Sequence, residues 1–174
     1  MTFHPWVDGY LTTLLCGEGD IEKMVLHILN QTKNQQMYNE TTLREFMQSV
    51  WNEKNVANIS KYLAEEYTVY LDNADPWEGK TLNVNEFETR LNYTFNSFPD
   101  IHFDIKTAVS DGNLVAITWV MTGTNTGKIG EFPATNKKIE ANGTTIYHFV
   151  DRKICGHTQV YDRTTIMKQL GFIK

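Results

Sequence analysis

The feature that most constrains the fold is the strict alternation of apolar and polar residues in the second half of the chain. In residues 101–109, "IHFDIKTAV", the alternation has the two-residue period of a half-buried β-strand. The turn sequence "SDGN" at 110–113 predicts a hairpin to the next strand, "LVAITWVMTG". Two further strand-like segments, "KKIEANGTTIYHFV" and "KICGHTQVYD", are joined by a short link at 151–153. We therefore predict a meander of long antiparallel strands.

The first half of the chain has helical spacing instead. Thr42 and Glu45 form a capping-box pattern, which predicts a helix beginning at residue 42. The apolar face of this helix comprises Leu43, Phe46, Met47, Val50 and Trp51. A second helix is indicated over 56–63, and a cap pattern at Asn83 starts a third that ends before Pro99. Helices followed by antiparallel strands predict an α+β fold, with the sheet curled around helices on one face. A mostly apolar cavity is expected between them.

Residues 1–40 are predicted to form a helical extension that precedes a domain at 41–174. Helical spacing in the extension is shown by Ile21, Met24, Val25, Ile28 and Leu29. A short apolar face upstream comprises Trp6, Tyr10, Leu11, Leu14 and Leu15. These faces need to be covered by the main domain or by a second subunit. We predict that residues 1–37 contribute to oligomer contacts.

Composition and charge disfavour several classes of function. The net charge is −5 and Lys and Arg form no cluster, whereas nucleic-acid binding requires concentrated positive charge. The two cysteines, Cys16 and Cys155, have no metal-binding spacing. We therefore expect no metal site and no disulfide framework, and a reducing cytoplasm is the expected location. No segment reaches the roughly 18 apolar residues of a membrane span, so no membrane partner is expected.

Five segments occur in order within residues 41–173, namely "LREFMQSVWNEKN", "SFPDIHFDI", "SDGNLVAITWVMTGTNTG", "PATNKKIEANGTTIYHFVDRKI" and "VYDRTTIMKQLG". Taken in this order, they resemble the SnoaL-like polyketide cyclases of the nuclear transport factor 2-like superfamily. The resemblance implies a cone-shaped sheet and a cofactor-free ester cyclase, which closes a ring by intramolecular aldol condensation on an aromatic polyketide ester. It also implies that Asp162 is the acid/base and that His148 faces the same cavity.

The sequence departs from the family pattern at three positions. Tyr70 stands where the family usually has a histidine, and Thr158 where it often has a tryptophan. Asn125 replaces the histidine of a "GTHTG" motif. These differences bear on the substrate more than on the fold. Residues 1–37 have no counterpart in the family pattern.

Strand alternation gives an independent test of Asp162. It places Asp162 on the same face as Val160, and His148 on the same face as Ile146. If both faces are inward, Asp162 and His148 are lone polar groups on an apolar wall. Burial then raises the pKa of Asp162 toward the range useful for taking a proton from carbon. On this hypothesis Asp162 abstracts a proton next to a carbonyl, and His148 orients it or protonates the product oxygen. The alternatives are that Asp162 caps the final helix and that His148 is a core histidine bonded to a strand neighbour.

Other polar and aromatic residues are candidates for the cavity wall, its mouth or the surface. The candidates for substrate contact are Tyr70, Trp119, Thr158 and Trp51. Asp72, Asn73 and Asp75 fit a loop over the cavity mouth, or simply a turn before a proline. Arg163 is expected to face away from Asp162 and to serve solubility or an ion pair. The residues interpreted as surface or edge histidines are His157, His102 and His27.

We therefore predict a cofactor-independent lyase or isomerase that acts on a small hydrophobic carbonyl compound, as a homodimer or higher homo-oligomer. The first alternative is another reaction in the same scaffold, such as epoxide opening, which requires two acids and an arginine. No such trio shares the face of Asp162. The second alternative is a non-catalytic small-molecule-binding or dimerisation module, because one scaffold hosts many functions.

Overall fold

The computed structural model describes residues 18–174, so the predictions for Trp6 to Leu15 and for Cys16 lie outside the described residues. The chain divides into two compact units, residues 1–35 and 36–174. The helices are α1 (Glu18–Phe46), α2 (Ile59–Tyr62), α3 (Val84–Ser97) and α4 (Arg163–Leu170). The strands are β1 (Leu63–Asp72), β2 (Thr81–Leu82), β3 (His102–Asp111), β4 (Leu114–Thr124), β5 (Lys138–Val150) and β6 (Lys153–Tyr161). None of these helices has both the length and the apolar character that crossing a bilayer requires.

The six strands form one curved sheet in the order β2-β1-β6-β5-β4-β3. The pairs β3–β4, β4–β5 and β5–β6 are antiparallel, which confirms the meander and the α+β fold. β1 and β6 run parallel, so the sheet is mixed rather than wholly antiparallel. This pairing places Asp72, at the end of β1, opposite Gln159 of β6. It therefore joins two segments that are far apart in the sequence.

The first helix is longer than its sequence pattern indicates. α1 runs without interruption through Thr42 to Phe46, so the predicted helix start at residue 42 is wrong. No Gly or Pro occurs between residues 20 and 46, and these are the residues that most strongly disfavour a helix. Glu45, the predicted capping acid, pairs instead with Lys61, whose Nζ lies 3.1 Å from Oε2.

A π-helical turn, Met47–Asn52, follows α1 and fixes its end to the sheet. The Asn52 side chain accepts a hydrogen bond from the Phe103 N–H at 2.8 Å and donates one to the Phe103 carbonyl at 3.0 Å. β3 is an edge strand, so this amide satisfies backbone groups that lack a neighbouring strand.

Two predicted helix ends are confirmed. The Asn83 side chain accepts from the Glu86 N–H at 3.0 Å, and Glu86 Oε2 accepts from the Asn83 N–H at 2.9 Å, completing a capping box at the start of α3. Gly171 ends α4 with a φ of 85°, a left-handed conformation that glycine adopts without strain.

Buried side chains occupy the space between the helices and the inner face of the sheet. Phe46 lies at the centre, and its ring centroid is 6.1 to 6.3 Å from those of Tyr62, Phe87 and Tyr147. Residues of α1, α3 and the sheet thus share one core. Aromatic side chains therefore fill much of the space where an apolar cavity was expected.

Candidate active site

The side chains of β5 and β6 alternate as predicted, but the inward face is the opposite one. Tyr147 and His157 are 5% and 2% exposed, whereas Ile146 and Val160 are 37% and 60% exposed. The prediction that Ile146 and Val160 face inward is therefore wrong. The inward face of β5 carries larger rings, and that of β6 carries His157 and Gln159, whose partners come from β1 and β5.

Asp162 lies at the surface and caps α4. Its Oδ1 accepts from the Thr165 N–H at 2.9 Å, and its Oδ2 accepts from the Thr165 hydroxyl at 2.5 Å. These hydrogen bonds hold the pKa of Asp162 below its ordinary value, so the predicted rise through burial is wrong. The geometry is that of an N-cap, and an acid/base role for Asp162 stays a prediction that its surroundings do not support.

His148 and Tyr70 come together, but on the outer face of the sheet. Their ring centroids are 4.7 Å apart, and Tyr70 is 50% exposed. Thr158 lies opposite Ile146 on the same outer face. Burial lowers the pKa of His148, yet its predicted position on the inward face of the sheet is wrong. Tyr70 lines a different cavity, of about 430 Å³, and substrate contact by Tyr70 or Thr158 stays a prediction.

Asp72 is the centre of a buried polar cluster that joins four elements. Its side chain is 2% exposed. Its Oδ2 accepts from Arg90 Nη2 of α3 at 2.9 Å and from Gln159 Nε2 of β6 at 3.2 Å. Its Oδ1 accepts from Arg163 Nη2 of α4 at 2.8 Å. A carboxylate can be buried in this way because both oxygens have donors, two of them charged.

These neighbours decide the charge state of Asp72. Burial acts to raise the pKa of Asp72, but the nearby His157 imidazole and the guanidinium groups of Arg90 and Arg163 outweigh burial. The pKa therefore lies below the ordinary value of 3.8. Asp72 is an anion at neutral pH, solvated by protein groups in place of water.

His157 lies between Asp72 and Tyr67. Its Nδ1 is 2.7 Å from the Tyr67 hydroxyl, and its Nε2 is 3.6 Å from Asp72 Oδ2, which is an electrostatic contact slightly longer than a hydrogen bond. Burial lowers the pKa of His157 and so favours the neutral ring. We assign the tautomer with Nε2–H directed at Asp72, because the Tyr67 hydroxyl can then donate to Nδ1.

Arg90 adds a second carboxylate to the cluster. The same Nη2 that binds Asp72 also donates to Asp75 Oδ2 at 3.0 Å, and Asp75 Oδ1 accepts from the Trp77 N–H at 2.8 Å. Two acids thus share one guanidinium. This is a trio of two acids and an arginine, of the kind that the face of Asp162 lacks.

A chain of hydrogen bonds extends the cluster toward Trp119. Trp119 Nε1 donates to Thr145 Oγ1 at 2.8 Å, and Thr145 Oγ1 donates to Gln159 Oε1 at 2.8 Å. Since Gln159 also donates to Asp72, the indole and the carboxylate belong to one network. Trp119 and Trp51 are both buried, and substrate contact by either one stays a prediction.

A cavity of about 230 Å³ opens onto this cluster. Its lining includes Asp72, Gln159, Tyr161, Asp162, Arg163 and Thr164. The Arg163 side chain is 35% exposed, in contrast to the buried Asp72. The arrangement is a buried anion that solvent or a small ligand approaches past a single arginine.

Sequence reasoning missed the centre of this site. The sequence places Asp72 and Asp75 in a loop over the cavity mouth or in a turn before a proline, and Asp72 does line a cavity. It does not predict that both acids bind Arg90, and the interpretation of His157 as a surface residue is wrong. The available signal was the polar pair His157 and Gln159, which alternation places on one face of the strand. Their partners become visible only once β1 is paired with β6. The expected ion pair of Arg163 exists, and its partner is Asp72.

Comparisons with known proteins agree with this architecture. The family model described as SnoaL-like polyketide cyclase matches residues 41–170. No curated protein shows significant similarity to the chain. Among solved structures, a proposed polyketide cyclase from Acidithiobacillus ferrooxidans is 38% identical, with a TM-score of 0.72, over 76% of this chain and 94% of that one.

Two more distant structures show the same fold. IdmH, a proposed polyketide cyclase from Streptomyces antibioticus, is 21% identical, with a TM-score of 0.65, over 76% of this chain and 98% of its own. A proposed SnoaL-like polyketide cyclase from Jannaschia sp. CCS1 is 12% identical, with a TM-score of 0.69, over 80% of this chain and 95% of its own. With a family model that matches most of its length and a relative this similar, the chain belongs to the SnoaL-like polyketide cyclase family.

Proposed function

We propose that this protein is a cofactor-independent acid/base enzyme that acts on a small hydrophobic carbonyl compound, with Asp72 as the base. The observation that carries the proposal is an ionised carboxylate that is 2% exposed and nevertheless lines a cavity. Because protein donors replace its water shell, a bound C–H acid meets this carboxylate without first displacing solvent. The same donors lower the pKa of Asp72 and so its strength as a base, which means that the proposal depends on proximity and on the absence of water. Membership of the family supports a polyketide-like substrate.

The proposed reaction begins with proton transfer to Asp72 from a carbon next to a carbonyl group. The electron pair of the broken C–H bond moves to the carbonyl oxygen and gives an enolate. The enolate carbon then attacks a second carbonyl of the same molecule, and the new C–C bond closes a ring. The resulting alkoxide takes the proton back from Asp72. Substrate and product are at the same oxidation level, so the balance requires no redox partner.

His157 and Tyr67 are positioning residues in this proposal. The neutral His157 ring directs Nε2–H at the carboxylate, and the Tyr67 hydroxyl at 2.7 Å holds the ring in that tautomer. This is the orienting role that the sequence assigned to His148. His157 can perform it because it lies beside Asp72, whereas His148 lies on the outer face of the sheet.

The base is tested by comparing Asp72→Asn with Asp162→Asn. We expect Asp72→Asn to lower the rate of proton abstraction from 5-nitrobenzisoxazole, a chromogenic probe for a base in a cavity, by about a hundredfold or more. Asp162→Asn removes a charge from the cavity lining but keeps the helix cap, because Asn caps a helix as well as Asp does. It is therefore expected to change the rate far less than Asp72→Asn does. Initial rates followed by product absorbance make the comparison.

Thermal unfolding by circular dichroism is measured in parallel, so that loss of the fold is not mistaken for loss of the base. A native-like Asp72→Asn protein with full activity contradicts the proposal. If only Asp162→Asn loses activity, the base is Asp162, the residue that caps α4. Either result requires a different active site.

A non-catalytic binding module is the second candidate, and one observation favours it. Both Asp72 oxygens already accept hydrogen bonds from the protein, as a purely structural anion would. In that case 5-nitrobenzisoxazole binds without accelerated turnover in the native protein. Probe binding measured alongside turnover therefore separates the two candidates.

We further propose that the outer face of the sheet pairs with a second copy of the chain. Leu114, Ile146 and Val150 are 37% to 46% exposed there, whereas a solvent-facing side of an antiparallel sheet normally carries polar residues. Uncharged Thr144 and Thr158 lie among them. Such a face is typical of a covered surface.

The pairing predicts that Ile146→Lys reduces the number of subunits, because it buries a charge in the contact. Light scattering coupled to size-exclusion chromatography gives the subunit number. Thr89→Lys, which adds the same charge on the exposed side of α3, should leave it unchanged. An unaltered oligomer in Ile146→Lys excludes this face.

A further inference from the structure

The guanidinium of Arg163 is only partly used by the protein. Its Nη2 donates to Asp72 Oδ1 at 2.8 Å, and its plane lies over the ring of Tyr161, 4.5 Å from the centroid. Within residues 18–174, its Nε and Nη1 have no acceptor, and the Tyr161 hydroxyl has no hydrogen-bond partner. Both side chains line the cavity beside Asp72. The cavity therefore holds unpaired donors, which a ligand with an acceptor oxygen would satisfy.

We propose that Arg163, assisted by the Tyr161 hydroxyl, binds the carbonyl oxygen of the substrate and stabilises the negative charge that develops on it. The inference rests on the proposed role of Asp72 as base. It makes Arg163 a catalytic residue and restricts the substrate to compounds whose carbonyl oxygen reaches Arg163 while the acidic carbon reaches Asp72.

The charges explain why Arg163 suits this task. Before the reaction, Asp72 and Asp75 balance Arg90 and Arg163, so the cluster has no net charge with His157 neutral. When the C–H bond breaks, the proton neutralises Asp72 and the electron pair moves to the carbonyl oxygen. Arg163 then loses its anionic partner just as a new anion forms beside it. Its attraction to the substrate therefore grows in the transition state, as catalysis requires.

Arg90 is a poorer candidate for this role. Its side chain is 7% exposed, and its Nη2 is already shared by Asp72 and Asp75. It retains Asp75 as a partner when Asp72 is protonated. The same proton transfer thus leaves Arg163 unpaired and Arg90 paired.

The test uses 4-nitrophenolate, a planar oxyanion whose ionised form is detected by its absorbance. Asp72→Asn mimics the protonated base and frees Arg163, so we expect it to bind 4-nitrophenolate about tenfold more tightly than the native protein does. The double variant Asp72→Asn with Arg163→Gln should lose that gain. Neutral 4-nitroanisole should bind all three proteins alike. No gain in Asp72→Asn, or a gain retained in the double variant, overturns the inference.

A second measurement keeps the inference testable if Asp72→Asn does not fold. Base attack on 5-nitrobenzisoxazole also leaves negative charge on an oxygen, so Arg163→Gln should lower its kcat about a hundredfold with little change in KM. Arg163→Lys should recover part of the loss. A rise in KM of the same size, with kcat unchanged, contradicts the inference. Activity that survives Asp72→Asn defeats the proposed function itself, whereas a missing Arg163 effect defeats only this step.

Discussion

Arg90→Leu is expected to lower the free energy of unfolding by about 3–5 kcal/mol, because it leaves buried carboxylates without their shared partner. Arg90 is 6% exposed and donates to Asp72 at 2.9 Å and to Asp75 at 3.0 Å. Leucine fills much of the volume but supplies no donor. Urea unfolding at pH 7 measures the loss.

Arg44→Leu is the matched control. Arg44 pairs with Glu40 at 2.9 Å, but its side chain is 47% exposed and the pair is one turn apart on α1. Such a pair contributes about 0.5 kcal/mol or less. Similar losses of unfolding free energy in the two variants would show that burial does not increase the contribution of the Arg90 ion pairs to stability.

The pH dependence of the stability of Arg90→Leu provides an independent test. In the native protein the pKa of Asp72 lies below 3.8, so its contribution to stability is present above that pH and is lost only as pH falls through the lowered pKa. Without Arg90, the pKa of Asp72 rises relative to the native protein, although His157 and Arg163 still act to lower it. The folded variant then takes up a proton at a higher pH than the folded native protein does, so the deficit of the variant relative to native protein should shrink as pH falls from 7 toward the pKa of Asp72. A deficit that grows over this range contradicts the account.

Local patterns predicted the parts of the fold that short-range physics controls. The capping box at Asn83 and the left-handed Gly171 act within a few residues of the chain, and both lie where the sequence placed them. The same reasoning failed at Thr42, because a capping pattern starts a helix only where the preceding residues are not already helical. There the uninterrupted run from residue 18 prevailed.

The inward face of the sheet could not be predicted from alternation. On β5, both the Ile146 side and the Tyr147 side are apolar enough to face a core, and alternation only separates the two sets. If a second copy covers the outer face, as we propose, both sides of β5 are covered, and this explains why both are apolar. The inward-facing His157 and Gln159 of β6 meet their partner Asp72 in another element, which the sequence of the strand alone does not show. Misassignment of the face then placed Asp162 inside and His157 outside.

Gly127→Ala should destabilise the protein by about 2–3 kcal/mol, since the added methyl group has no space. A Cβ at Gly127 would lie 1.9 Å from the carbonyl oxygen of Asn96, a backbone atom at the end of α3. The loop approaches α3 this closely because Asn125 Nδ2 and the Gly127 N–H each donate to the Ser97 carbonyl at 3.3 Å. Relief of the clash therefore requires these hydrogen bonds to break.

Gly123→Ala in the same "GTNTG" segment separates crowding from the general cost of changing glycine. A Cβ at Gly123 meets its nearest atom, Phe98 Cβ, at 3.4 Å, an ordinary contact. We expect Gly123→Ala to shift the urea midpoint far less than Gly127→Ala does. Equal shifts would mean that the loop tolerates a methyl group by moving as a whole. In that case Asn125, which replaces the histidine of the family motif, does not hold the loop against Ser97 as tightly as its hydrogen bonds indicate.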